Sequence, residues 1–353
     1  MRTKIILLVI SLFLFTYQRA YTMQIAGGRV IDVVVADSGY TDSTFVTEFF
    51  ENWLPVGPES FDIDKDGNIY VLDHLSERIL KFDKEGNWIT TLKGISESGQ
   101  SELQPLQDMA VDNYGNVYVA KVSRVMKFSP QGKFLLESED LSKLIGFYII
   151  VDKRGRVYDP YNMVVYDQEL KLREVIRVDT REYTDIGIVQ KEVGNDIFFR
   201  QNKYLFRTSL EEYGQNGKID TIAVLPKEIT NPRFLGERTW KKYHPSPETF
   251  CLFMGFDKNS CFYFYKQESW GNEEKHKWRL KGYTIFRYRL RKGKLEKVGE
   301  VTMTFEEDEA EYSNTSFILG AIPFYSVVAG DGTIYWVHGT VDMVKVSKII
   351  FDE

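Results

Sequence analysis

The sequence predicts an all-β fold: a six-bladed β-propeller of four-stranded antiparallel blades, the last blade closed by an N-terminal strand. Three observations predict it. A hairpin phrase returns along the chain: FDIDKDGNIYV at 61–71, MAVDNYGNVYV at 109–119 and IIVDKRGRVY at 149–158. After most copies comes an alternating strand ending in an aromatic and a polar glycine turn, as in 78–87, 124–133 and 285–294. The aromatic share of 14%, with 21 Tyr and 24 Phe, suits pleated strands rather than a helical bundle. Units of four strands in about 40 residues are the period of propeller blades.

Taken in order, the first element is a leader. Arg2 and Lys4 precede the apolar run Ile5–Phe15, and small residues follow at Ala20 and Thr22. That is the pattern of a secretory signal over residues 1–22. The run is shorter than the roughly 20 residues a membrane span needs. No Cys lies near its end for a lipid anchor. The expectation is therefore an extracytoplasmic protein, secreted or periplasmic, with no membrane span after cleavage and a propeller over 23–353.

Next comes Arg29–Val35, a strand with no hairpin partner. Hairpins follow with turn glycines at Gly67, Gly115, Gly155 and, more loosely, Gly194. Two more turn at Asp257–Ser260 and Gly330–Gly332, which makes six. Glycine supplies the positive φ of each turn, and Asp and Asn bond their own backbone there. The last unit has strands at Phe324–Ala329, Thr333–His338 and Asp342–Ile350 and no fourth. Arg29–Val35 is expected to be that fourth strand, which removes an exposed edge.

The run Asp64-x-x-Gly67-Asn68-Ile69-Tyr70-Val71-x-Asp73, with Arg78-Ile79-x-x-Phe82 after it, resembles the NHL-type six-bladed propeller family. The resemblance is close in the first two units, fair in the third and sixth, and weak in the fourth and fifth. It implies a fold shared by metal-dependent lyases and lactone hydrolases and by members with no catalysis. The metal ligands of gluconolactonase-like enzymes have no matching positions here.

Charge narrows the partners. Without Arg2, Lys4 and Arg19 the chain holds 42 basic against 51 acidic residues, a net −9. That argues against nucleic acid, whose binding relies on neutralising phosphates. Cys251 and Cys261 lie on two arms of one hairpin, too far apart in register for a disulfide, so both are expected as packed thiols.

In a four-stranded meander the a–b and c–d turns share one face, and the b–c loops and d–a connections share the other. The turns on the first face are short. The insertions Pro226–Glu248 and Lys266–Gly282, the acidic run Phe305–Tyr312 and Gly94–Pro105 all fall on the second. The two long ones carry Phe234, Trp240, Tyr243, Trp270 and Trp278, too aromatic for simple disorder. The residues ending strand b around the ring are Asp73, Lys121, Tyr161, Arg200, Tyr265 and His338. With Trp240 and Trp270 they form the expected ligand-binding rim. Asp73, His74 and His338 are the candidate metal ligands, since imidazole and carboxylate suit zinc. The acidic run lacks the spacing of a calcium loop.

No Gly-x-Ser-x-Gly elbow and no phosphate loop occur. The expected function is non-enzymatic binding of a protein, peptide or glycan by the looped face, with no cofactor. The alternative is a metal-dependent lyase or lactone hydrolase with zinc or calcium at the channel mouth on that face.

Overall fold

The structure is a computed structural model that describes residues 24–47, 57–58, 60–95, 106–121, 124–139, 149–152, 154–159, 164–175, 184–186, 196–201, 203–209, 220–229, 249–272, 277–304, 326–339 and 342–352. The leader, Gly194, Tyr161, Trp240, the acidic run and all of 230–248 lie outside them. Within them the chain is all-β, with two short 3-10 turns, His74–Ser76 and Lys227–Ile229.

Strands β1 (Gln24–Ala26) and β2 (Gly28–Asp37) come first. A first antiparallel sheet follows, β3 (Ser60–Ile63), β4 (Ile69–Asp73), β5 (Arg78–Phe82) and β6 (Trp88–Leu92). The second holds β7 (Leu106–Val111), β8 (Val117–Lys121), β9 (Arg124–Phe128) and β10 (Phe134–Glu137). The third holds β11 (Ile150–Val151), β12 (Val157–Asp159), β13 (Val164–Tyr166) and β14 (Leu172–Val175). Two further meanders are β15 (Thr184–Ile186) to β18 (Asp220–Val224), through β16 (Asp196–Gln201) and β17 (Tyr204–Ser209), and then β19 (Thr249–Phe256), β20 (Cys261–Asn272), β21 (Lys277–Arg291) and β22 (Lys294–Thr304). The last sheet is β23 (Ser326–Val328), β24 (Ile334–Gly339) and β25 (Met343–Phe351), completed by β2.

The pairing of β2 with β25 runs from Gly28↔Phe351 to Asp37↔Met343, so the N-terminal strand fills the place the sequence left open. Just before it, β1 pairs with β22 of the preceding meander. The fourteen residues 24–37 thus tie two neighbouring sheets together. One feature departs from six separate sheets. The meanders β15–β18 and β19–β22 meet through a parallel contact of their outer strands, Val224↔Lys294, and form one nine-stranded sheet with β1.

The repeated phrase has a direct cause at its aspartate. Asp64 Oδ1 accepts the N–H groups of Asp66 and Asn68, while Oδ2 accepts the Asn68 amide and the Tyr70 hydroxyl. Asp112 repeats the set with Tyr114, Asn116 and Tyr118. Asp257 does so with Asn259, Cys261 and Tyr263. Asp152 uses the Arg156 guanidinium in place of an Asn amide. The tyrosine then reaches the next sheet. The Tyr118 hydroxyl donates to the Gly155 carbonyl at 3.3 Å. A Cβ at Gly155 would lie 2.9 Å from that hydroxyl, and one at Gly332 would lie 2.5 Å from the Tyr263 hydroxyl. Turn glycine and tyrosine are therefore two halves of one sheet-to-sheet contact.

Apolar clusters lie between successive sheets. One joins the first and second sheets through Leu72, Ile79, Val111 and Val119. Others join the second to the third, β15–β18 to β19–β22, that meander to the last sheet, and the last sheet back to the first. Short polar ties reinforce them: the Val111 N–H donates to Asp62, and the Ile149 N–H to Asp108, which also holds the Ser60 hydroxyl. Burial pushes the Asp108 carboxyl up to about 7, with the Asp62 charge adding to it and these hydrogen bonds opposing.

The Cys expectation can be placed in part. Cys251 pairs in register with Lys266, and Cys261 is a buried free thiol near the far end of the same hairpin.

Candidate functional site

Both ends of the strands can now be compared. On one face are the short Asp-x-x-Gly turns. On the other, β20 and β21 run past their neighbours. β19 begins at Thr249, opposite Glu268, and β22 ends at Thr304, opposite Gly282. Beyond these points, among the described residues, β20 and β21 pair only with each other, through Ser269↔Leu280, Trp270↔Arg279, Gly271↔Trp278 and Asn272↔Lys277. The segment Lys266–Gly282, expected as a loop, is thus mostly a two-stranded tongue. Its glycines and charges read as loop chemistry, but cross-strand pairing with twelve matched positions overrides local propensity.

At the same end of the first sheet, Asp73 is fully buried. Its Oδ2 accepts Arg78 Nε and Nη2 at 3.1 Å, the Ser76 hydroxyl at 2.5 Å and the Val46 N–H at 3.1 Å. Arg78 also donates to the carbonyls of Thr41 and Thr44, both at 2.7 Å. The pair clamps the chain leaving β2 onto the first sheet. Asp73 Oδ1 and His74 Nδ1 are buried and have no hydrogen-bond partner among the described residues.

The last sheet carries a second network. His338 Nε2 lies 2.6 Å from Ser347 Oγ, and the Ser347 hydroxyl donates to Asp32 Oδ1 at 2.6 Å. Lys345 donates to the other Asp32 oxygen at 2.6 Å. With its own proton given to Asp32, Ser347 accepts from His338, which assigns the imidazole proton to Nε2. Burial pulls the imidazole down to about 4; the Asp32 carboxylate opposes this and the Lys345 ammonium adds to it. Burial also acts to raise Asp32, but the Lys345 and Ser347 hydrogen bonds outweigh it and hold the carboxyl below its usual value. The His338 ring stacks on Trp336 at 4.1 Å, Trp336 meets Tyr283 edge-on, and Tyr283 lies 5.3 Å from Tyr265.

The expected rim is placed as follows. Asp73, Lys121 and Tyr265 are fully buried, and His338 is half-buried between strands. Burial lowers the Lys121 ammonium, with Glu77 and Glu137 opposing. These four lie inside the sheet packing rather than on an open rim, because strand b is an inner strand covered from both sides. Arg200 lies on β16 and Trp270 on the tongue; Tyr161 and Trp240 fall outside the described residues. Among the described residues no three His, Cys, Asp or Glu side chains come together as metal ligands, so Asp73, His74 and His338 are not gathered into one site. Sequence reading missed Asp32, Ser347 and Asp108. Asp32 did carry a signal, as the lone acid between Ile31 and Val33–Val35.

The repeated antiparallel meanders, packed face to face, define a β-propeller-like all-β protein. No family model matches the chain. Among solved structures it is similar to a DUF4221 family member from Bacteroides vulgatus, with a TM-score of 0.55 and 10% identity over 94% of this chain and 99% of that one. It is also similar to a protein of Bacteroides fragilis described as exported, with a TM-score of 0.51 and 12% identity over 95% of this chain and 98% of that one. At these identities the likeness is one of fold. No helix among the described residues is long and apolar enough to cross a membrane.

Proposed function

We propose that the chain is an exported six-bladed propeller of the NHL-like type, closed by β2. It binds a protein, peptide or glycan partner through the face of the b–c and d–a connections and carries out no chemistry of its own. The observation that carries this reading is the tongue Ser269–Leu280, whose strands stay paired beyond the last described residues of both flanking strands. A projecting element on a stack of regular units is where recognition is built, because the scaffold holds it and the packing does not need it. Six units are supported by the four separate sheets together with the two joined meanders. A ring is supported by the cluster that joins the last sheet to the first. Export is supported by the leader pattern and by the fold shared with a protein described as exported.

The metal-dependent alternative needs Asp73, His74 and His338 around one ion. Two of them are already engaged, Asp73 by Arg78 and His338 by Ser347. The test is a binding screen of the mature chain against arrayed glycans and extracellular proteins. It uses one variant with 269–280 replaced by Asn-Gly and one altered on the turn face, Lys65→Glu with Tyr114→Ser. Loss of a bound partner in the tongue variant alone supports the reading. Loss in the turn-face variant alone contradicts it.

A further inference from the structure

A cation recurs opposite the tyrosine of the hairpin phrase. In the second sheet Lys127 stands opposite Tyr118 and lies over its ring at 5.1 Å. Its ammonium donates at 3.2 Å to the Gln168 carbonyl, in the β13–β14 turn of the third sheet. In the last sheet Lys348 stands opposite Tyr335 and lies over its ring at 5.3 Å. It donates at 3.3 Å to the Lys84 carbonyl, in the β5–β6 turn of the first sheet. Each of these cations is thus satisfied by a turn of the following sheet.

On β21 the same place, opposite Tyr263, is held by Arg287. The sheet that follows is the last one. Its outer pair is β25 and β2, the last and one of the first strands in the chain, so no hairpin turn joins them. At this seam Gly28 pairs with Phe351, and Arg287 lies over the Phe351 ring at 4.8 Å. A Cβ at Gly299 would lie 3.1 Å from that ring and 3.5 Å from Arg287 Nε, so the glycine leaves the guanidinium its room. Arg289 follows two positions on, on the same face of the strand and about 7 Å away. Both side chains are half-buried, and the Nε of each is buried with no hydrogen-bond partner among the described residues. The Cys261 sulfur and then the Asp257 carboxylate lie beside Arg289 and hold its guanidinium above its usual value. Asp257 is itself engaged by the N–H groups of Asn259 and Cys261 and by the Tyr263 hydroxyl. Two adjacent charged donors left unmade point to an acceptor from outside the chain.

The surrounding hairpin shares their sign. Residues 287–300 hold six bases and two acids, Glu296 and Glu300. Glu300 pairs with Lys297 at 2.9 Å, and Glu296 lies 3.6 Å from Arg291. Lys292 and Lys294 stand exposed at the turn.

We propose that Arg287 and Arg289 form an oxyanion site at the seam between β21 and the last sheet, which takes one phosphate or sulfate group. Guanidinium forks match the oxygens of such a group, and the exposed bases of the turn draw it in. The site lies at the turn end of the strands, apart from the tongue, and does not depend on the looped-face reading.

The experiment is calorimetric titration of the whole mature chain with sodium sulfate, sodium phosphate, glucose 6-phosphate and sodium acetate at matched chloride. Sulfate and phosphate should each fill one site per chain, and acetate should bind roughly tenfold more weakly or less well still. The ester should tighten between pH 5 and 8, as its second proton leaves near 6, while sulfate holds constant. Arg287→Gln and Arg289→Gln should each weaken sulfate about tenfold or more. Lys133→Gln, in the matching turn of the second sheet, should leave it unchanged. Phenylglyoxal labelling of the unaltered chain, read by mass spectrometry, covers the case in which an Arg variant fails to fold. Sulfate should protect Arg287 and Arg289 there and leave the exposed Arg173 open.

An ester bound as tightly as the free ions would support the site as one for a group carried on a larger molecule. Free ions bound with the ester excluded would support it as a site for the inorganic anion. No binding of any of the three at millimolar concentration, with no protection, would overturn the proposal and leave water as the acceptor. Binding that survives both Arg variants, or protection of other arginines alone, would overturn it as well.

Discussion

Asp73 and Arg78 show how far a residue's role can differ from its look in the sequence. Asp73 closes strand b and stands beside a histidine, which reads as ligand chemistry. In the fold it is the buried half of an ion pair that holds the Thr41–Val46 stretch in place. Arg78→Met would leave a buried carboxylate without its cation, at a cost of about 3–5 kcal/mol. Replacing both, with Asp73→Leu added, should recover most of that. Chemical denaturation of the three proteins checks it. The Asp64-type turns were legible because each bond they make is local, within six residues. The Asp32–Ser347 bond spans 315 positions, so no local pattern could pair the two, although Asp32 alone stood out as an acid amid apolar residues.

Two half-buried groups give opposite pH dependences. His338 titrates near 4 when folded and near 6.5 when unfolded, so the unfolded chain takes up a proton first as pH falls. Stability contributed by the neutral imidazole is therefore lost between pH 6.5 and 4, by about 3 kcal/mol at most. Asp108 titrates near 7 when folded and near 3.8 when unfolded, so its contribution is lost as pH rises through that window. Urea unfolding from pH 4 to 8 should show His338→Gln flattening the acid-side loss. Asp108→Asn should flatten the loss on the neutral side.

At the scale of elements, β2 is the strand that completes the last sheet. The sequence revealed its job through a missing strand, an argument of counting rather than of propensity. What counting could not reach was the contact on its outer side. The Gly86 turn of the first sheet sits against the Val33 carbonyl, and with φ at +91° a Cβ there would collide with it. Gly86→Ala should lower stability by about 1–3 kcal/mol through strain at the junction of the first and last sheets. Deleting 24–37 should remove cooperative unfolding altogether, because both β25 and β22 lose a neighbour. Thermal melts followed by near-ultraviolet circular dichroism distinguish the two effects.

The tongue shows the converse limit of sequence reading. Gly271, Asn272 and the charges after them are poor strand formers, so 266–282 read as a loop. Its extension becomes visible only through the twelve-position register of β20 with β21. The joining of β18 to β22 was likewise out of reach, since one parallel contact, Val224↔Lys294, leaves no pattern along the chain.

The whole molecule is a stack of similar sheets in which the regular aspartate turns and the proposed binding face lie at opposite ends of the strands. Its aspartate turns recur because each one ties its own hairpin and, through a tyrosine, the next sheet. Its irregular elements gather at the other ends of the strands. Hydrogen–deuterium exchange of the mature chain, with and without a partner recovered in the binding screen, tests this division most directly. Protection confined to 269–280 and the neighbouring strand ends, with the turns at Asp64, Asp112 and Asp257 unchanged, is the predicted result. Protection at those turns with none on the tongue would contradict it.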